Sequence, residues 1–234
     1  MIFKDLKGGR FYNEDCFDAM REIPDGVIDM VITDPAYKTI SGGTSSIEAQ
    51  KWNTSILSKN DGKIFTHNDV KIIDYMKEFF RLLKPSSHCY VMTNNLNLRE
   101  LLNIAEQVGF GFHNLLAWQK NNCTANRWYM KEMELVCFFY KKPAKNINNM
   151  SSKQIFKFDN IKNKVHPTQK PVELMQHYIE NSSSENEIIL DAFAGYGSTA
   201  IAAININRKW VCIEKDKEYY DKAIERIENH NANP

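Results

Sequence analysis

The segment EIILDAFAGYGSTAIAAI, residues 187–204, constrains the fold of this chain more than any other. It reads as an apolar strand, a turn carrying Gly195 and Gly197, and a helix whose first turn holds Ser198 and Thr199. A turn without Cβ atoms lets backbone approach a ligand closely, and the helix start aims free N–H groups at polar atoms. A small ligand is therefore expected above Gly195. Nineteen residues later a second strand, WVCIE, ends in Glu214, where the acid of a nucleotide-binding α/β unit accepts hydrogen bonds from ribose hydroxyls. Gly195-x-Gly197-x-x-Ala200 also satisfies the loose dinucleotide pattern, so a nicotinamide or flavin nucleotide stays open as the ligand. An ordinary dinucleotide fold begins with this loop, yet only 20 residues follow Glu214, enough for one helix. The remaining strands must come from earlier in the chain.

Those strands are legible as RFYNED, VIDMVIT (27–33), HCYVMT (88–93), LLAWQK and ELVCFFY, ahead of EIILDAF and WVCIEK. Helical stretches lie between them. Asp69 is placed to cap a helix running to about Leu83 and stopping before Pro85, Asn95 or Asn97 to open one ending at Gly109, and Asp216 to cap KEYYDKAIERIENH. The alternation predicts an α/β fold, a doubly wound, mostly parallel sheet with helices on both faces. At 234 residues, 43% hydrophobic and 12% aromatic, the chain suits one domain carrying an insertion.

VIDMVIT runs straight into Asp34-Pro35-Ala36-Tyr37, putting these residues at a strand's carboxyl end, the edge where open α/β sheets bind ligands. Pro35 fixes its own φ and restricts Asp34, giving a rigid turn that can aim the Asp34 carboxylate and the Pro35 carbonyl oxygen at one point. Two convergent acceptors suit an NH₂ group. Tyr37 adds a ring on which a flat base can stack. D-P-x-Y alone is also a common turn, and only its company gives it weight.

Asp34-Pro35-Ala36-Tyr37, HPTQKP (166–171) and DAFAGYGST (191–199), in that order, resemble the amino-methyltransferases of DNA in their beta-type arrangement, in which the catalytic block precedes the cofactor block. With ISGGT, TNNLNL, WQKNN and NRWYMKEMELVCFFYKK, the chain looks most like small phage-like adenine enzymes. The resemblance implies a circularly permuted, Rossmann-like S-adenosylmethionine-dependent methyltransferase fold across residues 1–234. Within it, 1–140 would form the catalytic region with a mobile loop at 38–68, 141–164 a short DNA-recognition segment, and 165–234 the cofactor-binding region. It implies N6 methylation of adenine in DNA, with Asp34, Pro35 and Tyr37 holding the target amine. Asp15, beside Cys16, would accept from the cofactor adenine and Glu214 from its ribose. Asp191, Phe193 and Gly195, with Gly197, Ser198 and Thr199, would line the cofactor, and Thr168 and Lys170 would sit near its methionine end, where an ammonium can meet the carboxylate. The family's common motif has a second proline where this chain has Ala36, which costs some rigidity but keeps both acceptors and the ring. Cytosine N4 methylation uses the same residues. A nicotinamide-dependent oxidoreductase and a DNA-binding protein that has lost catalysis remain as other classes.

The balance of 30 basic and 29 acidic residues, net +1, gives no general attraction to nucleic acid, so any basic surface must be local. Residues 141–164 supply one, with seven lysines against Asp159 alone. Lys153, Lys157, Lys162 and Lys164 are candidates for phosphate contact, and Trp128 in the Asn-rich NNCTANRW is a candidate DNA contact. DNA is thus the expected partner, and a homodimer stays open. Loop 38–68, rich in Gly, Ser, Thr and Asn, is a second candidate for contacts. Five scattered cysteines and six histidines show neither disulfide nor metal spacing, so no metal is expected. Without a Pro-Cys dipeptide, the nucleophile of cytosine C5 enzymes is missing. No segment approaches the roughly 18 apolar residues of a membrane span, which points to the cytoplasm.

Overall fold

A computed structural model describes residues 2–36, 70–124, 129–159, 161 and 169–230. In chain order its elements are β1 (Ile2–Leu6), β2 (Gly9–Asn13), α1 (Cys16–Arg21), β3 (Ile28–Thr33), α2 (Ile72–Leu82), β4 (Leu83–Thr93), α3 (Leu98–Val108), β5 (Gly111–Thr124), β6 (Lys131–Tyr140), β7 (Ile155–Lys157), α4 (Val172–Ser182), β8 (Ile188–Asp191), α5 (Ser198–Asn205), β9 (Lys209–Glu214) and α6 (Lys217–Asn229). The strands form one sheet in the order β1-β2-β9-β8-β3-β4-β6-β5-β7. From β2 to β4 every neighbour is parallel, whereas β1 joins β2, and β6 joins both β4 and β5, antiparallel. The two late strands β8 and β9 are inserted between β2 and β3 in the middle of the sheet, the permuted arrangement that the resemblance implies.

Strand side chains alternate between faces, and here both faces are buried. Phe11, Met30, Ile32, Tyr90, Met92, Phe138 and Ile189 pack with α4, α5 and α6. Their alternates Tyr12, Val31, Cys89, Val91, Cys137, Phe139 and Leu190 pack with α1, α2 and α3. Continuous apolar runs such as IDMVIT follow from this two-sided covering, as in parallel sheets generally.

Several ends differ from expectation. The N-cap of α2 is Lys71, with no side-chain cap, and Asp69 lies outside the described residues. α2 ends at Leu82, before Pro85 as expected, but the chain enters β4 at once, so Pro85 sits inside a strand. The β3–β4 register shifts there, from Ile28 opposite Leu83 to Met30 opposite His88. Proline in a strand is tolerated at such a bulge because no ladder hydrogen bond is asked of it. Asn97 holds the N-cap position of α3 without a side-chain bond, and the loop before it is instead tied by Asn94 Oδ1, which accepts from the Leu96 and Asn97 N–H groups at 3.0 Å each. Asp216 caps α6 as expected, accepting from the N–H groups of Glu218 and Tyr219 at 2.8 and 3.2 Å.

Candidate active site

Since β2, β9, β8, β3 and β4 run parallel, their carboxyl ends share one edge, and the residues just past them converge there: Asp15 after β2, Asp34 after β3, Asp191 closing β8 and Glu214 closing β9. The antiparallel pair adds to the same edge from the other direction. Thr93, at the end of β4, is paired with Leu135, so β6 begins at that edge, and Glu134 faces Trp118 near the far end of β5.

Neighbouring strands β3 and β8 are locked by Thr33, whose Oγ1 donates to Asp191 Oδ1 at 2.7 Å. Asp191 also accepts from the Phe193 N–H at 3.1 Å and from the Thr199 hydroxyl. Burial pushes its carboxyl up to about 6, against the pull of these bonds. Gly195 adopts φ 51° and Gly197 φ 75°, left-handed conformations that favour glycine, and Gly197 is the N-cap of α5. The Gly195 N–H donates to Glu214 Oε2 at 2.9 Å, and Glu214 Oε1 accepts from the Asp216 N–H at 2.8 Å. Burial raises the Glu214 carboxyl to about 7 despite both bonds. The loop and its acid are thus in direct contact.

The Asp34 side chain is 15% exposed and ion-paired through Oδ2 to Lys170, whose side chain is 8% exposed and whose ammonium also lies 3.2 Å from Glu134 Oε2. Lys120 closes the chain of charges, 2.6 Å from Glu134 Oε1. Burial raises the Asp34 carboxyl, as does the charge of Glu134, while Lys170 works the other way. Glu134 is itself held down to about 2, because Lys170 and Lys120 together outweigh its burial. The other oxygen, Asp34 Oδ1, is buried and accepts no hydrogen bond among the described residues. Asp34 lines a cleft together with Lys170, Asp191, Phe193, Gly195, Ser198 and Thr199.

Of the residues picked out from the sequence, then, Asp34, Lys170, Asp191, Phe193, Gly195, Gly197, Ser198, Thr199 and Glu214 come together, and Pro35 is buried beside them. Some have duties other than those expected. The Lys170 ammonium, expected near the methionine end of the cofactor, meets two protein carboxylates. Ser198 donates to the Lys170 carbonyl oxygen at 2.7 Å, and the Thr199 hydroxyl is spent on Asp191. Asp15 caps α1 through the Phe17 N–H at 3.0 Å and lies 3.1 Å from Lys215, and Cys16 is buried in that helix. Tyr37, Thr168, Trp128, Lys162, Lys164 and loop 38–68 lie outside the described residues. Lys153 and Lys157 are exposed, the latter on β7, the edge strand beside β5. Sequence reasoning missed Thr33, Lys120 and Glu134. A charged residue at the start of the apolar run of β6 was the available signal, but it pointed nowhere until strand direction was known. All five cysteines are free, and among the described residues no helix is long and apolar enough to cross a membrane.

A mostly parallel α/β sheet with late strands inserted at its centre, a glycine loop held by an acid on the next strand, and an Asp-Pro turn one strand away together define the fold of a permuted methyltransferase. Comparison with known proteins agrees. The family model described as DNA methylase, of the N6/N4 type, matches residues 28–225, and the chain belongs to that family. Among curated relatives, the type II methyltransferase M2.MboI of Moraxella bovis is 24% identical over 98% of this chain and 90% of its own length. M2.LlaDCHI of Lactococcus lactis is 28% identical, over 91% and 87%. Among solved structures, M1.HpyAVI in complex with SAM superposes with TM-score 0.71 at 23% identity, covering 93% of this chain and 99% of that one. The cytosine-N4-specific PvuII DNA methyltransferase gives TM-score 0.73 at 18% identity, covering 98% and 89%.

Proposed function

We propose that this protein, working as one methyltransferase domain, transfers a methyl group from S-adenosylmethionine to the N6 amine of adenine in DNA. The observation that carries the reading is Asp34 Oδ1, a buried acceptor with no partner among the described residues, on a side chain that lines the same cleft as Gly195. A buried acceptor left empty is costly unless something donates to it, and an exocyclic NH₂ is such a donor. The residues around the loop suit the cofactor: Glu214 offers a carboxylate able to take ribose hydroxyls, and Gly195 lets the nucleoside approach. Asp15 and Phe193 are assigned to its adenine, with Asp191 supporting the loop from below. Bound S-adenosylmethionine supplies an electrophilic methyl group on sulfur.

The amine of adenine is a poor nucleophile because its lone pair is delocalised into the ring. Asp34 Oδ1 and the Pro35 carbonyl oxygen, each accepting one N–H, draw the nitrogen toward tetrahedral and localise that pair, and Tyr37 stacks on the base. Asp34 then stabilises the positive charge developing on nitrogen and takes up the proton the product amine releases. The base must leave the duplex to reach a site at the sheet edge, so base flipping is part of the reading. An aspartate at the first position of the Asp34 turn supports adenine.

A second reading, N4 methylation of cytosine, is favoured by the fold shared with a cytosine-N4-specific enzyme. Digesting methylated DNA to nucleosides and weighing them by mass spectrometry separates the two. N6-methyladenine is expected, and N4-methylcytosine alone would overturn the assignment.

A further inference from the structure

The row of alternating charges Asp34, Lys170, Glu134 and Lys120 runs from the turn after β3 through the residue before Pro171 to β6 and β5, and of these the sheet itself pairs only β6 with β5. We propose that Glu134 is a positioning residue for methyl transfer: it holds the Lys170 ammonium between its own carboxylate and Asp34 Oδ2, so that Oδ1 stays turned to the target amine. This rests on the reading of Asp34 as the acceptor of that amine.

The geometry gives each member a distinct duty. A carboxylate with two equivalent free oxygens could rotate and offer the amine either one. Lys170 removes that freedom by engaging Oδ2. A lone lysine on a flexible stem would follow Asp34 wherever it turned, but Lys170 is only 8% exposed and bound on its other side by Glu134 at 3.2 Å. Lys120, 2.6 Å from Glu134, anchors that carboxylate in turn. Two anions and two cations leave the row neutral, which keeps four charges tolerable in a partly buried cleft. Among the described residues, the charged groups that bear on Asp34 are Lys170, Glu134 on β6 and Lys120 on β5, and Asp34 in turn bears on Asp191 of β8.

Glu134→Gln preserves shape and removes the charge. It is expected to lower kcat about tenfold, as loss of orientation at a reacting group does, while the dissociation constant for S-adenosylhomocysteine changes less than about twofold. The acid limb of the pH–rate profile gives a readout that a merely structural residue would not move. Glu134's charge raises the Asp34 carboxyl, so Glu134→Gln should carry that limb to lower pH, whereas Lys120→Met, which removes a cation that lowers it, should carry the limb to higher pH. Opposite displacements in the two variants support the proposal. Wild-type kcat and an unmoved limb in Glu134→Gln, with Asp34→Ala inactive in the same assay, would overturn it while sparing the Asp34 reading. A lower kcat with the limb unmoved in both variants would also overturn it, reducing the row to structural support. Turnover retained by Asp34→Ala would bring down the Asp34 reading instead.

Discussion

At the scale of single residues, the site divides into groups that serve the base and groups that serve the cofactor, and the two can be separated by substitution. Asp34→Ala should abolish methyl transfer, by about a hundredfold or more, and leave the S-adenosylhomocysteine dissociation constant within about twofold, because the carboxylate faces the target amine. Calorimetry alongside a radiolabel transfer assay checks both halves. Gly195→Val and Glu214→Ala should do the reverse and weaken cofactor binding, the first by filling the approach and the second by removing ribose acceptors. Glu214 also gives a pH signature. With its carboxyl raised to about 7, it holds a proton that ribose hydroxyls donating to the ionised form would displace. Cofactor affinity should therefore rise by up to roughly tenfold per pH unit as the solution approaches pH 7 from below, then level off. Titrations in buffers of different ionisation enthalpy should register the released proton, and their agreement would remove Glu214 from the ribose site. For the empty protein the sign is opposite. Asp191 and Glu214 stay protonated in the fold above their ordinary values of 3.8 and 4.5, so the stability they contribute is complete below those values and is lost as pH rises through about 6 and about 7.

Among the elements, β2 and β9 show how tightly the inserted strands fit. Gly9 lies opposite Trp210, whose ring is 1% exposed, and a Cβ on Gly9 would stand 2.1 Å from it. Gly9→Ala should cost about 1–3 kcal/mol in denaturant unfolding, the usual penalty of an overpacked core. The lysine tract 141–164 is less uniform than its composition suggests. Lys141 donates to the carbonyl oxygens of Phe80 and Leu83 at 2.7 Å each, so it belongs to the core edge, while Lys153 and Lys157 point outward around β7. Neutralising Lys153, Lys157, Lys162 and Lys164 together should weaken DNA binding without touching cofactor affinity. For every phosphate that a lysine no longer neutralises, the slope of log affinity against log salt should fall by roughly 0.9, and an unchanged slope would leave the tract a solvated surface. Strands with alternating or continuous apolar runs were legible from sequence, as was the Asp216 cap. β1 was not, because its residues are mostly exposed and it is held chiefly by pairing with β2. α2 stops at Leu82, short of Pro85 as the sequence indicates, but the strand that takes in Pro85 was not legible, since the proline sits at a bulge.

For the whole molecule, the sequence carried the topology because the Asp34 turn, HPTQKP and the glycine loop stand in the order that a permuted sheet of this family implies. It carried the candidate site only where a motif is contiguous. Asp34 and Lys170 could each be found within a short string of residues, but Glu134 and Lys120 reach the cleft through the reversed direction of β6 and β5, a property of pairing and not of any local pattern.

The insertion of β8 and β9 between β2 and β3 also governs the order of assembly. During synthesis β2 and β3 emerge early, each able to gain only one of its two neighbours, and the places between them stay empty until about residue 214 has left the ribosome. Two strand edges, Phe11 and Tyr12 on one and Met30, Val31 and Ile32 on the other, wait through that interval with backbone groups unpaired, a condition that invites misassociation. The bond from Thr33 to Asp191, spanning 158 residues, closes late for the same reason. Transfer competence should thus appear as a last, cooperative event, with no partially synthesised chain holding either half of the cleft in working form.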